Sequence, residues 1–179
     1  MTDHKKLQMH FEERRISDPE IIDSILRRGH TGTLTMFDDP YPYVIPIHYG
    51  YEFEKGRFIL YIHTAKTGHK LALIKKNDHV AFNYFEYLTR AGHRKYRNEL
   101  QDYRSITIFG RAEFVTDENE LLLALNSLQR GGSRPALKAL PSGITDSLII
   151  FRICAEQITA KSNYPISTLE ESAIPPLDY

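Results

Sequence analysis

The spacing of apolar residues changes period several times along this chain, and each change predicts an element. Ile21, Ile22, Ile25 and Leu26 recur at helical spacing. Ser17-Asp18-Pro19-Glu20 stands before them as a capping box, with Glu20 three residues after the Ser17 hydroxyl. Arg27 and Arg28 suit the negative end of a helix dipole, and Gly29 suits the stop. Beyond Gly29 the pattern turns to strands. Residues 31–37 are rich in β-branched side chains, and Asp38-Asp39-Pro40 is a turn signal. Residues 43–53 form a long β-rich run interrupted by Pro46 and Gly50, and Glu54-Lys55-Gly56 reads as a hairpin turn. In residues 57–63, Phe58, Leu60 and Ile62 alternate with Ile59, Tyr61 and His63. Both faces carry apolar groups, which predicts a strand buried on both sides.

Residues 68–76 read as a short helix and 79–88 as a strand. Residues 89–102 are polar and basic, with Arg90, Arg94, Lys95 and Arg97, and read as an inserted loop or short helix. A strand follows over 103–115. The helix over 117–130 has Asp117 and Glu120 to cap it, Leu121, Leu122, Leu125 and Leu128 as its apolar stripe, and Gly131-Gly132 to end it. The last strand covers 148–160. The pattern divides the chain into an N-terminal arm (1–16), one domain (17–160) and a proline-bearing C-terminal arm (161–179). Sequential strands joined by tight turns imply antiparallel pairing. Residues 31–63 leave no room for crossover helices, which argues against a doubly wound parallel sheet. The expectation is a mainly β fold, a barrel or sandwich with flanking helices at its ends.

Composition narrows the chemistry. The chain has 179 residues, one Cys and no Trp, with 23 Lys plus Arg against 23 Asp plus Glu. One Cys cannot form an internal disulfide, and a reducing, cytoplasmic setting is the expectation. Zero formal charge removes the global signature of a protein that binds long nucleic acid through its phosphates. No apolar run approaches the roughly 20 residues of a membrane span, and no secretory signal is visible.

Three segments carry candidate chemistry. In His63-Thr64-Ala65-Lys66-Thr67-Gly68-His69-Lys70, a strand end leads into a helix start. Open N–H groups at such a start attract phosphate. Lys66, His69 and Lys70 add positive charge, although a solvated lysine loop has the same composition. In the segment around Pro46, Ile47, His48 and Tyr49, the proline removes a ladder donor and predicts an edge strand with backbone groups open to a planar heterocycle. A kinked core strand is the plainer reading. Arg104 and Ser105 open the third segment and are candidate donors to phosphate or a ring carbonyl; Gly110 further along it suggests a bulge. No metal-binding spacing is present, no Gly-x-Ser-x-Gly elbow occurs, and Cys154 reads as a small core residue rather than a nucleophile.

These segments, in this order and followed by the helix from Asp117, resemble the pyridoxamine 5′-phosphate oxidase-like FMN-binding split-barrel superfamily. The chain is most similar to its nitroimidazole-resistance (Nim-type) branch, over most of residues 17–160. The resemblance implies a six-stranded antiparallel split barrel that forms a homodimer with FMN between subunits. By the same resemblance, the strand with Pro46, Ile47, His48 and Tyr49 meets the flavin ring, and His63 and Thr64 lie against the cofactor. His69 and Lys70 hold the phosphate, and Arg104 and Ser105 add contacts. The phosphate pair departs from the common Arg-Lys, since an imidazole is only partly charged near neutrality. The chain also lacks the Arg- and Trp-bearing terminal motif of vitamin-B6 oxidases, having no Trp at all.

The expected function is that of an FMN-dependent oxidoreductase, a reductase of a small organic substrate such as a nitroaromatic compound. NADH or NADPH would be the electron donor, and His63 the candidate catalytic group. A non-catalytic flavin or haem carrier or sensor on the same barrel is the alternative. A third reading is a single-stranded nucleic-acid-binding barrel, with Tyr41, Tyr43, Tyr49 and Tyr51 stacking bases and basic residues 90–104 tracking phosphates. The balanced charge weighs against it, so the expected partners are a second copy and a small molecule, with no nucleic acid and no membrane.

Overall fold

The helical spacing at Ile21 becomes α1, Pro19–Arg28, in a computed structural model that describes residues 9–88, 102–130, 135–164, 166, 168, 169 and 173. The cap is Asp18, whose side chain accepts from the Glu20 N–H at 2.8 Å, and not Ser17. Either side chain can cap a helix, and here Pro19 occupies the first helical position directly after Asp18. A two-residue strand, β1 (Arg15–Ile16), precedes it within the stretch expected to be an arm.

The remaining strands are β2 (Thr31–Met36), β3 (Tyr43–His48), β4 (Gly50–Glu54), β5 (Arg57–Ala65), β6 (His79–Tyr87), β7 (Tyr103–Phe114) and β8 (Leu148–Ser162). Helices α2 (His69–Lys76), α3 (Glu118–Leu128) and the short α4 (Ile144–Ser147) lie between them. The predicted insert at 89–102 falls outside the described residues except for Asp102, whose carbonyl accepts from the Leu88 N–H at 2.8 Å.

All pairings are antiparallel, in the order β3-β2-β6-β7-β8-β5-β4, with β1 added alongside β8. The run at 43–53, expected as one strand, is two: β3 pairs with β2 and β4 pairs with β5. Between them stands Tyr49, whose N–H donates to the His30 carbonyl at 3.0 Å. The first and last strands of the sheet are thus consecutive in the chain and one residue apart. The sheet must curl to bring its ends together, which gives the split-barrel form. Six expected strands become seven on the main path because one of them bends from one sheet edge to the other. The register shift between Phe109 and Gly110 is the predicted bulge; their partners in β8 are Gln157 and Ala155, with Glu156 as the extra residue.

The core has two parts. Ile21, Ile22, Ile25 and Leu26 of α1 fill the barrel against Leu34, Leu60, Phe82, Ile106, Ile108 and Phe151. Outside it, α3 covers Ile59 and Tyr61 of β5 through Leu121 and Ala124. Strand β5 is therefore buried on both sides, as its alternation predicts, and each such side chain contributes roughly 1.5–3 kcal/mol. The fully buried line of α3 is Leu121, Ala124 and Ser127; of the other predicted leucines, Leu125 and Leu128 pack beside it half-buried. Close approach explains the shift: a Cβ on Gly50 would stand 2.2 Å from the Ser127 Oγ, so small residues face one another where α3 crosses β4. No helix among the described residues is long and apolar enough to cross a membrane.

Candidate functional site

The candidate residues gather where the sheet closes. In β3, Ile47 points into the core, so Val44, Pro46 and His48 stand on the outer face. In β4–β5, Gly50 pairs with Tyr61. Continuing that register by two residues sets His48 opposite His63. The imidazole of His48 is indeed within electrostatic reach of His30, His63 and Arg130. Its ring lies 6.4 Å from that of His30 at an interplanar angle of 18°. Three histidines from the start of β2, the end of β3 and the end of β5 thus form one row.

Lys70 lies at the same corner, its Nζ donating to the His63 carbonyl at 3.3 Å. Burial pushes the Lys70 ammonium below its ordinary value. His63 is likewise lowered, first by burial and then by the charge of Lys70. Burial, and then His30, His63 and Arg130, do the same to His48. No carboxylate is among the influences on either histidine. Such a concentration of basic groups without an acid is an anion site in waiting.

The backbone adds to it. Helix α2 begins after Gly68, whose φ of 127° suits a residue without a Cβ. No side chain caps the helix, and its first internal bond runs from the Ala72 N–H to the Gly68 carbonyl. The amides of His69, Lys70 and Leu71 precede that bond and carry the positive end of the helix dipole.

Several expected ligands are placed differently. The His69 ring is 2.7 Å from Asp38 Oδ2 and makes an edge contact with Tyr43 at 4.9 Å. The ring is therefore engaged by the β2–β3 loop rather than left for a phosphate. Ile47 is a core residue, available only through its backbone. Tyr49 is fully buried; its hydroxyl donates to the Leu26 carbonyl at 2.9 Å and its N–H to His30, so neither group is open to a flavin ring. Tyr51 is also fully buried, with its hydroxyl on Asp23 at 2.9 Å, so neither tyrosine can stack a base.

Arg104 is the largest departure. It points into the barrel, has no exposed surface, and donates through Nε to the buried Glu86. Tyr84 donates to the other oxygen of that carboxylate at 2.5 Å. Ser105 faces outward. It pairs with Phe85, and Thr33 pairs with Asn83, so the same register carried two residues further aligns Ser105, Phe85, Thr31 and His48 in one row. Three strand spacings separate its ends, about 14 Å. Pro46 is exposed on edge strand β3, as its missing donor predicts, and Thr64 is buried beside His63.

Sequence reasoning missed His30, Arg130, Asp38 and Glu86. Arg130 reaches this corner from the end of α3, its Nε on the Ser127 carbonyl at 3.0 Å and its Nη2 without a hydrogen-bond partner among the described residues. No motif marks it, because α3 is linked to β3 only through the fold. No group of three His, Cys, Asp or Glu among the described residues is placed to hold a metal ion.

Two cavities flank the corner without enclosing it. One, of about 580 Å³, is an apolar groove on the outer sheet face with Phe37, Val80 and Phe109 in its wall and Asp38 at its edge. The other, of about 550 Å³, lies beneath α3 and α4. Of the residues at the corner, His30, Pro46, His63 and His69 are exposed and form an open shelf, while Thr64 and Ser105 are buried.

The fold is shared with several solved structures. A candidate 5-nitroimidazole antibiotic resistance protein from Bacteroides thetaiotaomicron superposes with a TM-score of 0.68 at 20% identity, over 87% of this chain and 96% of that one. A FAD and haem binding protein from Mycobacterium smegmatis gives 0.65 at 19% identity, over 92% and 84%. A flavocytochrome from Azotobacter vinelandii gives 0.66 at 18% identity, over 96% and 83%. No curated protein sequence matches the chain significantly. The family model described as pyridoxamine 5′-phosphate oxidase matches residues 18–161, most of the chain, and the chain belongs to that family.

Proposed function

We propose that this protein is a homodimeric FMN-dependent oxidoreductase that reduces a small organic substrate, a nitroaromatic compound among the candidates, with electrons from NADH or NADPH. The observation that carries this reading is Lys70: a half-buried ammonium at an uncapped helix start, donating to the His63 carbonyl. One ammonium and a set of open amides suit one terminal phosphate. The neighbouring His69 ring is already engaged by Asp38, so the donor set fits FMN better than the longer diphosphate of FAD. FMN supplies hydride and electron transfer when bound. The chain's own part is to hold the phosphate at Lys70, to present the outer edge of β3 at Pro46 and His48 to the ring, and to handle a proton at His63. A lowered pKa keeps the His63 imidazole neutral near pH 7, able to accept or relay that proton.

The open shelf supports the dimer. Val44 and Phe85 are 54% and 48% exposed on the outer face that continues from the candidate row, and Phe37 at the far end of β2 is 65% exposed. Apolar groups so grouped mark an interaction surface, and a second copy there would roof the shelf. The neighbours described as FAD-binding, and the flavocytochrome, support flavin chemistry on this fold.

The test is a fluorescence titration of FMN, FAD and riboflavin with the parent protein and Lys70→Ala. FMN should bind most tightly. Lys70→Ala should weaken FMN on the order of tenfold or more, the size of a charge-assisted hydrogen bond, and riboflavin little. Equal losses for FMN and riboflavin would remove Lys70 as the anchor, and no flavin binding at all would overturn the reading. The row of His30, His48 and His63 favours haem as a second reading. A Soret band after reconstitution with haemin, without flavin uptake, selects it.

A further inference from the structure

The second cavity lies apart from the shelf and contains none of the residues assigned to flavin. It measures about 550 Å³, and its wall is built from Val115 after β7, Leu121 and Leu125 of α3, Ile144 of α4, and Leu148 and Ile150 of β8. A space of that size with an apolar wall and few polar groups has the form of a small-ligand site. Two cations stand at its rim, Lys66 from the β5–α2 connection and Lys75 from α2. Neither forms an ion pair with another of the described residues.

The acids on the adjoining elements do not compensate these lysines. Glu113 and Glu120 both hold Arg152, at 2.7 Å in each case. Asp117 caps α3 by accepting from the Glu120 N–H at 2.9 Å. Asp146 lies back against Gly143, and Glu118 is exposed at the start of α3. An apolar chamber with two unpaired positive charges at its mouth is complementary to one kind of ligand, an apolar body that ends in an anion.

We infer that this cavity binds a small amphipathic carboxylate, with its hydrocarbon part between α3, α4 and β8 and its carboxylate between Lys66 and Lys75. A carboxylate is favoured over a phosphate by the donors. Lysines on flexible stems act as separate point charges rather than as a converging set of amides. Hydrocarbon burial supplies the affinity, and the lysines select the acid over the neutral analogue.

Decanoate is the probe, with decanol, acetate and decyl phosphate as its comparisons, titrated by calorimetry and by methyl chemical shifts. Decanoate should bind and shift the methyls of Val115, Ile144 and Leu148. Decanol, without the charge, and acetate, without the chain, should each bind at least tenfold more weakly. Lys66→Ala/Lys75→Ala should bring decanoate down to the level of decanol while leaving decanol unchanged. Leu125→Trp should fill the chamber and abolish both, and circular dichroism on that variant separates filling from unfolding. Equal affinity for decanoate and decanol, or an unchanged decanoate affinity in the double lysine variant, overturns the inference. Tighter binding of decyl phosphate than of decanoate overturns the choice of carboxylate. FMN titration of Leu125→Trp should be unaffected, which keeps this outcome separate from that of the flavin site.

Discussion

Arg104 and Glu86 are register partners across β6–β7, and both point into the barrel, where the Arg104 Nε donates to the Glu86 carboxylate. Arg104 is fully buried and Glu86 is 8% exposed. The half-buried Arg28 feels both, being lowered by burial and then by Arg104, and raised by Glu86. One carboxylate therefore accepts from the Arg104 guanidinium and the Tyr84 hydroxyl, with Arg28 within its electrostatic reach, in a place where charge is costly. Breaking a buried pair by removing one partner costs about 3–5 kcal/mol. Glu86→Leu should cost more than Arg104→Met, because it leaves Arg104 and Arg28 without their shared acid, and the double variant should cost less than the sum. Urea denaturation measures all three. If Arg104→Met instead keeps its stability and loses FMN, Arg104 is a cofactor ligand after all.

The ion pair between His69 and Asp38 predicts unequal roles for two adjacent basic residues. His69→Ala should weaken FMN less than Lys70→Ala. Asp38→Asn removes a negative charge beside the helix start and leaves His69 without its counter-ion, so FMN should bind more tightly and riboflavin equally. The Asp38 carboxyl is held below its usual range by the His69 hydrogen bond and then by the Asp39 amide. Asp38 is therefore a carboxylate throughout the neutral range. Weaker FMN binding by Asp38→Asn would show that the pair positions His69 for the ligand rather than withholding it.

His48 and His63 both titrate below the ordinary 6.5 in the folded protein, chiefly through burial. The unfolded chain thus binds more protons than the folded one between the two values, and stability rises with pH there. It is complete above about 6.5 and is lost as pH falls from there toward the folded values. The midpoint of urea unfolding should drop between pH 7.5 and 5.5, and His48→Gln/His63→Gln should drop less. An equal drop in the variant would place the pH dependence elsewhere.

The candidate site was legible in part. The basic segment at 63–70 and the edge strand at Pro46 stand out because proline, glycine and clustered charge act locally, and both lie at the corner. What was illegible depended on the direction of side chains after curling. His69 and Lys70 are adjacent in sequence, but one turns to Asp38 and the other to the His63 carbonyl. Arg104 and Ser105 take opposite sides of β7, so only Ser105 shares a face with His48. Cys154, expected as a small core residue, is half-buried behind α3 with its thiol pushed up by burial.

Local chemistry in the sequence sets the elements: the periods of α1 and β5, the hairpin at Lys55 and Gly56, the bulge at Gly110, and an antiparallel order with no room for crossovers. These follow from backbone preferences and from the alternation of apolar groups over a few residues, which need no knowledge of distant segments. Tertiary structure alone decides that one β-rich run bends at Tyr49 to join both edges of the sheet. That closure brings His30, His48, His63, Lys70 and Arg130 to one corner, from segments up to 100 residues apart. It also turns Arg104 inward onto Glu86. The reason is physical: which groups meet across a curled sheet depends on register and on the burial of the whole core, and neither is recorded in any short stretch of the chain.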